Sequence, residues 1–578
     1  MRRVAESRAG RGTASKERAP DQREACGVGA TLVGVCHLLL LSTAGGTPGQ
    51  SDTHARQLGL DVSGYVFQLT LSDEHDEIVG ETTILARLRD GAADEWVIDL
   101  VGRSPEAQTG MTVDSVEWLE GEAVRTVEFV HDGDRLRIPL DRAALAGELR
   151  RVRIRYRGVP ATGLIIGQNR YGDRTFFSDN WPNKARHWLP TIDHPYDKAE
   201  SEMIVTAPAH YQVVSNGLMV EETDLPDGRR RTHWKQSVPI ATWLYALGVA
   251  RFAVSHWGEL DGVPLETWVF AQDRDAGFYD FAEPTRQVLE FFSDRIGPYP
   301  YERLANVQTN SVRGGMEAAT SLFYDDDSVT GERTERWRNV VIHEIAHQWW
   351  GNSVTEADWD DVWLSEGFAT YFTLLFIEHA YGRDRFVAAL ENSRDRVFGY
   401  EEAHPGETIV HDNLDDMSKV TSTNTYQKGA WVLHMLRGMI GDETFWAGIR
   451  DYYATYRDAN ATTDDFRRVM EEASGEELEW FFDQWLSRAG FPEIEARWSY
   501  DSDEGQIDIR VDQVQESAEP YRLPVTLAAT STDGERTVVR LWVEGRGNEY
   551  AIDVSGEPTS LSLDPGTWVL MRANVASQ

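Results

Sequence analysis

The chain has 578 residues, 41% of them hydrophobic and 26% charged, with 20 Trp, 20 Tyr and 21 Phe to bury, so it folds into more than one domain and general disorder is excluded. A formal net charge of −38, from 57 Lys and Arg against 95 Asp and Glu, repels phosphate backbones and excludes nucleic acid as a partner. Both cysteines, Cys26 and Cys36, lie near the start, which excludes a cysteine nucleophile or a disulfide framework in everything that follows.

Residues 1–50 read as a leader. Arg2, Arg3, Arg8 and Arg11 precede a mostly apolar run from Val28 to Leu41, and the small residues Ser42, Thr43 and Ala44 follow it. The run is shorter than the roughly 20 residues a spanning helix needs, and His37 interrupts it. The expectation is an exported protein, periplasmic or secreted after cleavage of the leader, or cytoplasmic if the leader does not function, with no stable membrane insertion.

Residues 51–256 alternate apolar and polar side chains, as in Tyr65 to Leu71 and Val152 to Tyr156, with turns at Asp132-Gly133-Asp134 and Pro226-Asp227-Gly228. An all-β domain is expected there. Within 257–490 the period becomes helical, and helices are expected over Pro284 to Ile296, Thr334 to Trp350, Ser365 to Tyr381, Arg383 to Val397 and Tyr426 to Ile440. Gly351, Gly382 and Gly441 stand where C-terminal caps belong. Alternation returns over 491–578, as in Ile507 to Val511 and Thr537 to Trp542, which predicts a closing β-sandwich. The fold class expected is multidomain α+β.

The chemistry sits in the helical part. His343-Glu344-Ile345-Ala346-His347 places two imidazoles four residues apart, on one face of a helix, where both can reach one metal ion. A catalytic zinc takes three protein ligands and leaves one position open. Glu366, near the start of the next expected helix, returns to the metal if the two helices lie antiparallel. Glu344, beside the first ligand, stands where a carboxylate takes a proton from water activated by the metal. One Zn2+ per chain, held by His343, His347 and Glu366 with Glu344 as general base, makes the expected reaction the hydrolysis of an amide or ester. Gly314 and Gly315 leave room for a substrate backbone to approach and pair as an extended strand.

Four segments in order carry a family resemblance: Arg313-Gly314-Gly315-Met316-Glu317, the HExxH segment running on through Gln348-Trp349-Trp350-Gly351-Asn352, Trp363 to Ala369, and Tyr426-Gln427-Lys428-Gly429-Ala430. Together they resemble the M1 family of zinc aminopeptidases. Ala185 to Pro190, Gly297 to Pro300 and Phe481 to Leu486 extend the resemblance over most of the chain after residue 60, without the large C-terminal helical domain of longer members. The resemblance implies a saddle-like N-terminal β domain and a thermolysin-like catalytic domain. It implies peptides with a free N-terminus as substrates, Glu317 on the substrate's α-ammonium, Gly314, Gly315 and Met316 along its backbone, and Tyr426 on the oxyanion. Two positions depart from the family pattern: Ala318 replaces an asparagine, and Trp181 stands where many members place a glutamine that helps hold the amino end. An endopeptidase, an epoxide hydrolase and a non-catalytic zinc-bound binding protein are the competing expectations. Oligomeric state is not legible.

Overall fold

The computed structural model describes residues 56–89, 94–140, 145–410, 414, 416–516 and 519–577. The expected leader, with both cysteines, lies outside the described residues. No helix among the described residues is long and apolar enough to cross a membrane.

The first part is built on an eight-stranded sheet whose centre is Leu60–Thr70, paired parallel with Ala199–Pro208 and antiparallel with Ile78–Leu88. Ile78, Thr82, Ile84, Ala86 and Leu88 point inward in strict alternation, so the half-buried period of two sets which face meets the core. A four-stranded sheet, Gln212–Ser215, Leu247–Ala250, Arg174–Ser178 and Leu164–Gln168, accompanies it.

Phe252–Leu260, which runs across position 256, pairs forward into a five-stranded sheet. That sheet continues through Val263–Phe270, Leu304–Thr309 and Ser321–Asp325, parallel to one another, and ends on the two-residue edge strand Gly315–Met316. Sequence periodicity does not reveal Leu304–Thr309 or Ser321–Asp325, because every residue in both is buried and the alternation that marks a half-exposed strand is lost.

Eight helices follow among the described residues: α1 (Arg274–Arg295), α2 (Glu335–His347), α3 (Trp363–Tyr381), α4 (Arg383–Ala403), α5 (Gly429–Ile440), α6 (Asp442–Tyr456), α7 (Thr463–Ser474) and α8 (Glu479–Leu486). Helix α1 starts ten residues before the expected Pro284, which sits buried in its interior. Helix α2 ends at His347, ahead of the expected Trp350, and Gly351 lies in the turn beyond it with a φ of 96°. Gly382 and Gly441 are the C-terminal caps of α3 and α5, each with φ near 90°, and each leads straight into the next helix.

Helix α3 is the hub. It is buried over almost its whole circumference and packs against α2, α4 and α5. Behind the α2–α3 junction, Phe368 meets Trp350 at 5.1 Å and Phe466 at 5.0 Å between ring centroids, while Trp363 meets Phe466 at 6.1 Å. Such rings bury large areas in specific edge and tilted contacts, which fixes the two helices relative to each other. The chain closes with a four-stranded and a three-stranded sheet. Ile507, Ile509 and Val511 on one and Leu523, Val525 and Leu527 on the other supply buried faces.

Candidate metal and peptide site

His343 and His347 lie on the last turns of α2, and Glu366 lies on the first turn of α3. Their ligand atoms converge. His343 Nε2 and His347 Nε2 are 3.0 Å apart, and Glu366 Oε2 lies 3.3 Å from each. A tetrahedral zinc with bonds of ~2.05 Å separates its ligands by about 3.3 Å, so this triangle has the dimensions the ion requires. The tautomer agrees as well. His347 Nδ1 lies 3.1 Å from the Trp350 carbonyl oxygen, which can only accept, so Nδ1 is a donor and Nε2 is the nitrogen whose lone pair a metal in the triangle would take. Ser365 Oγ, also 3.1 Å from Nδ1, supports the same ring orientation.

Charge balance fits a cation too. Burial pushes Glu344 well above the usual carboxylate range, and neighbouring Glu317 adds to it. Burial likewise raises Glu317. Glu366 alone of the three is held down, because His347 and His343 outweigh its burial. A buried cluster with three carboxyl groups and two imidazoles is one that a divalent ion completes.

Glu344 is buried one residue beyond the first histidine, and its neighbour is the edge strand. A Cβ on Gly315 would sit 2.1 Å from Glu344 Oε1, so only glycine lets that backbone pass over the carboxylate. Gly314, with φ of 88°, turns the chain into the strand, and Met316 pairs with Phe323. One side of Gly315–Met316 is bonded to Ser321–Asp325 and the other is the sheet's edge, the arrangement that accepts an extended peptide. Glu317 follows at once, buried, within 4.8 Å of Glu344 and His347, and its Oε1 has no hydrogen-bond partner among the described residues.

Tyr426 comes from the far side. Its hydroxyl donates to Glu366 Oε1 at 2.7 Å, and its ring lies nearly parallel to that of His343 at 6.1 Å. The expected helix start is different in structure: Asn424–Lys428 form a π-helical turn, and α5 begins only at Gly429. Gly367 and Gly429 bring this turn against the first turn of α3, since a Cβ on Gly367 would lie 3.1 Å from Gly429 Cα and from the Thr425 carbonyl oxygen.

Ala318 is buried, and Trp181 packs edge-on against Trp243 at 4.8 Å and Trp359 at 5.3 Å, forming an apolar wall in place of an amide. Three contributors escape the residue-level reading of the sequence. Gln348 Nε2 and Asn352 Nδ2 donate to the Glu317 carbonyl at 2.9 and 2.7 Å, fixing the backbone that carries this acid. Glu356 is a fully buried acid whose carboxyl oxygens have no hydrogen-bond partner among the described residues. Burial first, then Glu317 and Glu366, push it up to about 8. The first two stand within the HExxH extension, where their segment pointed to them; Glu356 leaves no sequence signal, because an isolated acid in a strand reads as exposed.

Residues 63–244 match the Peptidase M1 N-terminal domain, and residues 281–485 match the Peptidase family M1 domain. The chain belongs to peptidase family M1. It is 28% identical to the glutamyl aminopeptidase of Mus musculus over 417 residues, 69% of this chain and 43% of that protein. It is 31% identical to the glutamyl aminopeptidase of Bos taurus over 330 residues, 54% of this chain and 34% of that protein. The chain thus spans less than half the length of these curated relatives. Among solved structures, an M1 zinc metallopeptidase mutant from Deinococcus radiodurans superposes with a TM-score of 0.65 at 26% identity, covering 75% of this chain and 96% of that one.

Proposed function

We propose that this protein is a zinc aminopeptidase that removes the first residue from peptides with a free N-terminus. The observation that carries the proposal is the triangle of His343, His347 and Glu366, with edges of 3.0 to 3.3 Å, flanked by an acid on one side and a phenol on the other. These three residues would hold a zinc ion, which would supply Lewis acidity and lower the pKa of a bound water toward ~7.

The peptide lies along Gly315–Met316, adding a strand to the sheet edge. Glu317, buried and without a partner on Oε1, pairs with its α-ammonium and so selects the first peptide bond. Glu344 takes a proton from the attacking water on its carboxylate and returns it to the leaving amine. The Tyr426 hydroxyl, preorganised by the π-helical turn, donates to the oxyanion that develops on the carbonyl. Burial and the nearby Glu366 keep that phenol protonated. Export by the arginine-rich leader of residues 1–50 belongs to the same reading, and N-terminal sequencing of the mature protein from a secreting host tests it.

A panel of fluorogenic aminoacyl amides, each with a free and an acetylated amino end, with and without a chelator, tests the activity. Cleavage of the free-amine series alone, abolished by the chelator, is the expected result; equal cleavage of acetylated substrates contradicts the role of Glu317. Glu317→Ala lowers kcat/KM on free-amine substrates on the order of 10²-fold, because a buried charge pair is lost. Glu344→Gln keeps the metal and lowers kcat by ~10²–10⁴.

A further inference from the structure

Behind the turn that carries Tyr426 lies a buried ion pair that the chemistry above does not use. Lys428 Nζ donates to Glu401 Oε1 at 2.6 Å, and both side chains are essentially inaccessible, at 0% and 2% exposure. Asn424 Nδ2 donates to the same Oε1 at 3.2 Å, and the Gly490 backbone N–H donates to Glu401 Oε2 at 2.9 Å. The remaining ammonium hydrogens of Lys428 reach the carbonyl oxygens of Arg488 at 3.3 Å and Gly490 at 3.1 Å.

Asn424 and Lys428 are the first and last residues of the π-helical turn. Four residues apart, they share one side of it, and one carboxylate on α4 grips both. Tyr426, two residues from each, leaves the opposite side and reaches Glu366. A π turn holds an extra residue compared with the α-helix it precedes and persists only where surroundings hold it. Relaxation to α geometry shifts the register by one residue and swings the Tyr426 side chain by about 100° away from Glu366.

We propose that Glu401 and Lys428 are positioning residues for the reaction: they clamp the π-helical turn and thereby aim the Tyr426 hydroxyl at the reacting carbonyl. The backbone of Arg488 and Gly490, at the lead-in to the C-terminal sheets, is the third leg of this clamp. The inference rests on the role given to Tyr426 under the proposed function.

The test is a double-mutant cycle on the zinc-loaded enzyme, with kcat, KM and zinc content measured on a free-amine aminoacyl amide. Glu401→Gln combined with Lys428→Met removes both charges together and leaves no lone ion in the interior. Tyr426→Phe alone is expected to lower kcat by about 10²-fold. The charge-free pair is expected to lower kcat at least about tenfold with KM and zinc content unchanged, and to cost nothing further on the Tyr426→Phe background. An equal loss on that background, or no loss on either, overturns the clamp while leaving the tyrosine's role intact. Full activity of Tyr426→Phe overturns the tyrosine's role and the clamp with it. If the charge-free pair does not fold, Asn424→Ala releases only one end of the turn; its smaller kcat loss must vanish on the Tyr426→Phe background, and an additive loss there refutes the clamp.

Discussion

The two sides of the site are built by different means. On one side, His343, His347 and Glu366 stand on regular helices, and two of these three candidate ligands are placed by helix pitch alone. On the other, Gly315 sits on a two-residue edge strand and Tyr426 on a five-residue π-helical turn, elements too short to hold themselves. Their positions come from distant partners: Gln348 and Asn352 beneath Glu317, and Glu401 behind Tyr426. The ligand side is therefore expected to tolerate change in its surroundings, whereas the substrate side transmits every displacement of its supports to the chemistry.

The sharpest break between the sides is removal of a ligand. Glu366→Ala takes away one corner of the triangle and is expected to abolish metal retention and activity together, with the fold kept by the aromatic packing of α3; zinc content by elemental analysis beside near-ultraviolet circular dichroism checks this. The loss exceeds the ~10–100-fold that an outer hydrogen-bond partner of a metal ligand typically carries. Gly315→Ala is the converse change. Its methyl group would stand 2.1 Å from Glu344 Oε1, so strand or carboxylate must shift, and kcat falls by about 10²-fold with the metal still bound. Retained kcat in that variant contradicts the close approach of strand and base.

Ser365→Ala gives the smallest effect. The Trp350 carbonyl still fixes the His347 tautomer at 3.1 Å, so zinc affinity drops only about tenfold, measured by competition with a chelator, and saturating zinc restores kcat. A loss that saturating zinc does not repair assigns Ser365 a part in the reaction itself.

Legibility followed the same division. The candidate ligands His343 and His347 were readable because helix periodicity is local: they must share a face once the segment is helical. Glu366 was readable because it stands near the start of the next long helical segment after the two histidines. Its place beside the two imidazoles still depended on packing that the pattern does not contain, the aromatic contacts of Trp363 and Phe368 with Phe466 and of Trp350 with Phe368. The parallel strands Leu304–Thr309 and Ser321–Asp325 left no alternation to detect, because both faces are covered. The π-helical turn was hidden in an apparently continuous helix, since an extra residue per turn changes no residue type.

By itself, the amino-acid sequence determined the α+β class, the order of β, helical and β regions, and two imidazoles with an adjacent acid on one helix face, all consequences of neighbours a few residues apart. Tertiary structure alone decided that Gly315 passes over Glu344, that the first turn of α3 meets the Tyr426 turn through Gly367 and Gly429, and that Glu401 holds that turn from behind. Those contacts join residues about thirty to more than sixty positions apart, and only the packed core brings them together, through close backbone approach at the glycines and the pairing of Glu401 with Lys428.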